Sequence, residues 1–297
     1  MSRAQGIARN ECSAFEENEM DNASAAQSVK VVEHNENVAR QGQQPGQSLI
    51  AIGLLGLGVL ALKYGDFALV WQPVPDWLPL RHAAAYGSGV LMLLLGIGLL
   101  FRATASLAAR VLLPYLLVWA LLKVPALFVA PKMEAVYLGL GELTVLLAGG
   151  WTLACRLVEV SPNSKLRFLA GESGIRAARV MFGISVIPIG LSHLFYGQAT
   201  ADLVPAWLPY RMGWAYLTGV GQIAAGLGVL FSVLPWLAAA AEAGMITCFT
   251  LLVWLPAIGR APHERLNWTA FFISWIIGAG AWIVAQNVPR RRKGTHS

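Results

Sequence analysis

The chain has 297 residues, 56% hydrophobic and 13% charged, about half the ~25% charge of an ordinary soluble domain. Its apolar residues come in long blocks and its net charge is +6. This composition excludes an ordinary soluble protein and makes lipid the solvent for most of the chain.

Residues 1–47 stand apart. Arg3, Arg9, Lys30 and Arg40 face Glu11, Glu16, Glu17, Glu19, Asp21, Glu33 and Glu36 there, with few large apolar residues. Such a stretch buries too little surface to offset ordering entropy, so the expectation is a disordered cytoplasmic tail. No signal-peptide core lies near its start, so the first hydrophobic helix is expected to direct insertion.

Eight apolar stretches follow, at residues 48–68, 83–102, 107–129, 134–155, 177–197, 213–232, 235–258 and 267–286. Each reaches or nearly reaches the ~20 residues that cross ~30 Å of hydrocarbon. Backbone groups in lipid must bond within their own segment, which predicts helices. Residues 156–176 read as a cytoplasmic linker and 287–297 as a basic tail, its Arg290-Arg291-Arg292-Lys293 run placed beside anionic lipid. That run does not suggest a nucleic-acid partner.

The chain repeats itself. Residues 74–101 align without gaps on 204–231, at an offset of 130, with 14 of 28 positions identical, among them the Pro, Trp, Pro and Arg of V-P-x-W-L-P-x-R. At an offset of 131, Pro125 matches Pro256, and Ala148-Gly149 with Trp151 matches Ala279-Gly280 with Trp282. The fold class expected is all-α: eight transmembrane helices in two four-helix bundles, 48–155 and 177–286. An even number of spans per unit sends both units into the membrane the same way round, as parallel repeats. Eleven Lys and Arg fall on the side of Arg102, Arg156 and Arg290, against five on the side of Arg81 and Arg265. The richer side is expected to be cytoplasmic, with both termini inside.

Several residues stand out chemically. The outer-loop set Trp77, Arg81, Trp207 and Arg211 reads structurally as interfacial tryptophans and snorkelling arginines, and functionally as a lid whose paired arginines attract an anion. Ionisable groups inside a span suggest function by default. Lys123 and Glu142 fall ~9 and ~12 Å below the outer ends of their helices, where they are able to pair. His193, Gln222 and Glu242 make a second-half polar set, with His193 near the outer surface and Glu242 toward the inner one. His82, His193 and His263 lie on separate segments without ligand spacing, so no metal site is expected. Neither a phosphate-binding glycine loop nor a serine-nucleophile motif is present.

The two V-P-x-W-L-P loops carry much of a family resemblance. With them stand Tyr86-Gly87-Ser88-Gly89, Tyr216-Leu217-Thr218-Gly219, Gly190-Leu191-Ser192-His193, Gly141-Glu142 and Leu147-Ala148-Gly149-Gly150. By these the chain resembles the DoxX family, over nearly all of residues 48–286. The family is named after a membrane subunit of a thiosulfate:quinone oxidoreductase, and its members typically have one four-helix unit. The resemblance implies a tandem duplication in a bacterial inner membrane, serving a redox or quinone-linked system alongside a redox partner protein. It implies no metal or flavin centre in this chain, with quinone as the candidate ligand. The alternatives are a small-solute transporter with its path between the halves, or a structural subunit without chemistry.

Overall fold

The computed structural model describes residues 45–161, 164–165 and 167–288. Nearly all of the expected tail 1–47 and of the basic tail 287–297 lies outside them. Residues 45–47 are not tail: Pro45 opens the first helix, a position where its missing N–H costs nothing.

The described residues form nine helices and no strand. They are α1 (Pro45–Tyr64), α2 (Arg81–Leu100), α3 (Arg102–Val129), α4 (Glu134–Leu157), α5 (Gly171–Phe195), the short α6 (Gly197–Leu203), α7 (Arg211–Leu230), α8 (Pro235–Arg260) and α9 (Arg265–Gln286). Seven of them, all but α6 and α7, are long and apolar enough to cross a membrane. The chain is a multi-pass helical membrane protein. Helix α7 has the length of α2, but Gln222 and five glycines dilute it.

Three boundaries depart from expectation by four residues or more, one of them the start of α3, at Arg102 and not at 107. The first span was expected to continue to residue 68, yet α1 stops at Tyr64 because Gly65 takes the left-handed conformation (φ 60°) that closes a helix. The chain then folds back, burying Phe67, Ala68, Trp71 and Gln72. The linker is shorter than 156–176, since α5 begins at Gly171.

In both copies of V-P-x-W-L-P the same turn forms. Leu78 N–H donates to Pro75 O (3.3 Å) and Leu208 N–H to Pro205 O (3.0 Å). Leu80 (φ 57°) and Tyr210 (φ 55°) then enter the left-handed region just before α2 and α7. Non-glycine residues tolerate this only when their surroundings fix it, and the prolines supply that stiffness.

Consecutive long helices pack side by side, and the two halves also interleave. Helix α1 lies against α9, α5 lies against α4, and α4 touches α9; residues 45–288 belong to one compact unit. The reason is small residues on both fourth helices. A Cβ on Gly149 of α4 would fall 2.5 Å from Gly280 Cα of α9, so only glycine permits this approach. Seven residues on, Arg156 Nε donates to Asn287 Oδ1 (2.7 Å). The contacts advance together along both helices, so α4 and α9 run in the same direction.

Candidate functional site

The polar residues inside the first half gather around the folded-back segment 65–72. Gln72 is buried. Its Oε1 accepts from Ala68 N–H (2.9 Å), and its Nε2 donates to Ser88 Oγ (2.9 Å) and to the Tyr115 hydroxyl (3.0 Å). The two hydroxyls lie 3.0 Å apart, closing a triangle between the loop, α2 and α3. Two turns along α3 from Tyr115, the half-buried Lys123 donates from Nζ to Val70 O (2.9 Å). An ammonium has three N–H donors, so two remain.

Lys123 and Glu142 are neighbours across the α3–α4 contact without forming an ion pair. The ammonium lies over Gly139, where an added Cβ would come within 2.9 Å of Nζ. Glu142 is one turn along the same face of α4. Among the described residues no ion pair joins the two.

The second half arranges its polar groups differently. Gln222 and Glu242 are both fully buried between α7 and α8, with Gln222 Nε2 donating to Glu242 Oε1 at 3.3 Å. Gln222 Oε1 and Glu242 Oε2 have no partner. His193 stands apart from them, its Nδ1 2.9 Å from Thr218 Oγ1 and its ring against Phe249.

The outer-loop residues divide by copy. Trp77 and Trp207 are both exposed, as interfacial rings would be. The two arginines do not come together: Arg81 pairs with Asp66 and lies 3.6 Å from Asp76, whereas Arg211 is exposed. Arg265, the first residue of α9, reaches across from the second half, giving Asp66 Oδ2 one bond (2.9 Å) and Phe67 O another (2.6 Å). Its guanidinium also covers the Tyr64 ring at 5.0 Å. Partial burial pulls the Asp66 carboxyl upward. Hydrogen bonds from Arg265, Phe67 N–H and Arg81, with the charge of Arg81, outweigh that and hold it below its ordinary 3.8.

Sequence reasoning passed over Asp66, Gln72, Tyr115 and the role of Arg265. Asp66 and Arg265 are 199 residues apart, and no local pattern joins them. Among the described residues no three His, Cys, Asp or Glu side chains gather as metal ligands would.

Between the halves an apolar groove of about 810 Å³ opens along α4 and α5. Leu127, Leu140, Val180, Ile184 and Phe195 help to line it, with Lys132 and Glu134 at the end where α4 begins.

Residues 182–276, from within α5 to within α9, match a family model described as a domain of unknown function (DUF8561). That is less than half of the chain, and the description names no activity. No curated protein and no solved structure matches the chain.

Proposed function

We propose that the chain is an eight-span, DoxX-like protein of the bacterial inner membrane, with both termini in the cytoplasm. Its two four-helix units are related by a pseudo-twofold axis along the membrane normal. The α4–α9 contact supports this reading: Gly149 meets Gly280 and Arg156 meets Asn287, each residue touching the one 131 positions on. A residue beside a twofold axis meets its own equivalent. An inverted repeat would run the two helices in opposite directions and separate the second pair. The bounds of α2 and α7, 130 residues apart at both ends, fit the same relation.

Within that frame the chain serves as the membrane subunit of a quinone-linked redox system. The observation that carries this is the set of donors inside the first unit: Lys123 with two spare N–H groups, and the Ser88 and Tyr115 hydroxyls held by Gln72 under a buried loop. A quinone supplies two-electron, two-proton chemistry on a ring with two acceptor carbonyls. Lys123 fits one carbonyl as a hydrogen-bond donor. Glu142, a turn away on α4, is placed to accept or return a proton. Neither group is repeated, because Trp254 and Ile273 stand at the equivalent positions, so the site belongs to one unit.

The test is quinone content and stability in Lys123→Met, Glu142→Leu and the double variant. Lys123 and Glu142 are neighbours and not a direct pair, so removing one charge is expected to cost no more than the ~3–5 kcal/mol typical of a broken buried pair, while replacing both with apolar residues is often neutral. The expected outcome is quinone co-purifying with the wild type, loss of stability in each single variant, and a double variant that is stable yet quinone-free. A double variant that keeps its quinone, or a wild type that binds none from quinone-loaded liposomes, would overturn the reading. The Gln222–Glu242 pair favours a second reading, small-solute transport, since buried polar groups in spans often mark pathways. Substrate flux in proteoliposomes would support it. The Gly149–Gly280 approach argues against a path along the axis between the halves.

A further inference from the structure

We propose that the groove between α4 and α5 is a built site for one phospholipid with a primary-amine head group, its ammonium on Glu134 and its phosphate on Lys132. This goes beyond the quinone reading and uses different residues, though it rests on the same pseudo-twofold relation.

On the far side of the axis, α9 packs on α1 as α4 packs on α5. There Phe272 lies over Gly56, stacked on Trp268 and edge-on to Phe271, and Phe271 in turn lies against Trp275. At the positions 131 residues earlier stand Tyr137, Leu140, Gly141 and Thr144, all four lining the groove. Thr144 leaves open what Trp275 fills on the other side, whereas at Gly141 the α5 backbone itself comes close, an added Cβ falling 2.6 Å from Ser185 O. The groove is therefore a departure from the repeat and not a consequence of it.

The two outer ends differ in the same way. Arg265 opens α9 and is engaged by Asp66 and Phe67 O. Its equivalent, Glu134, opens α4 with both carboxylate oxygens shielded from solvent and without a hydrogen-bond partner. Lys132, two residues before, pairs with no carboxylate among the described residues. One side of the molecule is stapled shut, while the other presents an unmatched anion beside a cation at head-group level. A zwitterion complements that pair.

The walls specify the rest of the ligand. Thr144 Oγ1 is spent on Leu140 O and Gly141 O, Ser185 Oγ on Met181 O, and the Tyr137 hydroxyl on Pro131 O. The groove thus offers hydrocarbon contacts below its mouth. On α5 it extends from Phe195 to Ala177, about 27 Å of helix at 1.5 Å per residue, deeper than one leaflet. Its volume lies within the ~300–1,000 Å³ of typical ligand sites. An acyl chain fits such a slot, and a small polar solute does not.

Native mass spectrometry of the full chain, released from nanodiscs of phosphatidylethanolamine, phosphatidylcholine or phosphatidylglycerol, tests the proposal. We expect one retained phosphatidylethanolamine per protein, and at least tenfold less of the choline lipid, whose quaternary nitrogen has no N–H for Glu134. Glu134→Gln should erase the preference between the two head groups while the protein stays folded by circular dichroism. Thr144→Trp, copying the filled side, should lower retention of all three lipids. Equal retention of the three lipids by the wild type, or a preference unchanged in Glu134→Gln, would overturn it. Quinone content is read separately. Loss of lipid selectivity with quinone retained sinks only this proposal, and the converse sinks only the function above.

Discussion

Asp66 shows how much one exposed-looking loop residue does in this fold. It accepts from two arginines, one from its own half and one from the other, and so ties α9 to the α1–α2 loop outside the hydrocarbon. Hydrogen bonds to a charged group contribute ~1.5–3 kcal/mol each, less where water screens them. Because the folded carboxyl titrates below its ordinary value, the staple contributes fully above the unfolded value near 3.8 and is lost as pH falls through the lower folded one. Asp66→Asn should therefore lower the melting temperature at pH 7 and abolish the extra loss that the wild type shows between pH 7 and a pH below about 4. Thermal melts of the detergent-solubilised protein at both pH values check this, and an equal acid loss in both proteins would contradict it. Lys123 and Glu142 were visible in the sequence because charge inside an apolar run is conspicuous. The partner of Lys123, the Val70 carbonyl, was not, because it depends on a loop folding back through the left-handed Val70 (φ 66°).

Individual helices were the most legible level. Long apolar runs locate them within a few residues, and departures occur where a specific device intervenes, such as Gly65 ending α1 or Pro45 opening it. What apolarity does not encode is which helix meets which, since one lipid-facing stripe resembles another. The information lay in the small residues: Gly149 and Gly280 aligned in the repeat, and they meet in space. Gly149→Leu should force α4 and α9 apart and cost about 1–3 kcal/mol, the usual penalty of overpacking. Gly87→Ala is the control, since nothing lies within 4 Å of its Cβ position. Melting curves of the two variants measure the difference, and equal stability would show that the α4–α9 contact is not as close as described.

At the scale of the whole molecule, the proposed arrangement sends the two halves into the membrane in the same sense, about an axis along its normal. The duplication and the Lys/Arg asymmetry were readable from the sequence, whereas the interleaving of first and fourth helices was not. Interleaving requires each first helix to recognise the other half's fourth, and no pattern within one unit records that. Parallel halves require equivalent loops on the same side; inverted halves require them on opposite sides. Topology reporters fused after residues 76, 131, 202 and 262 should all report the extracytoplasmic side, and those after 104, 165 and 290 the cytoplasm. If the fusions at 76 and 202, which follow equivalent outer segments, report opposite sides, the parallel arrangement and the pseudo-twofold reading built on it are wrong.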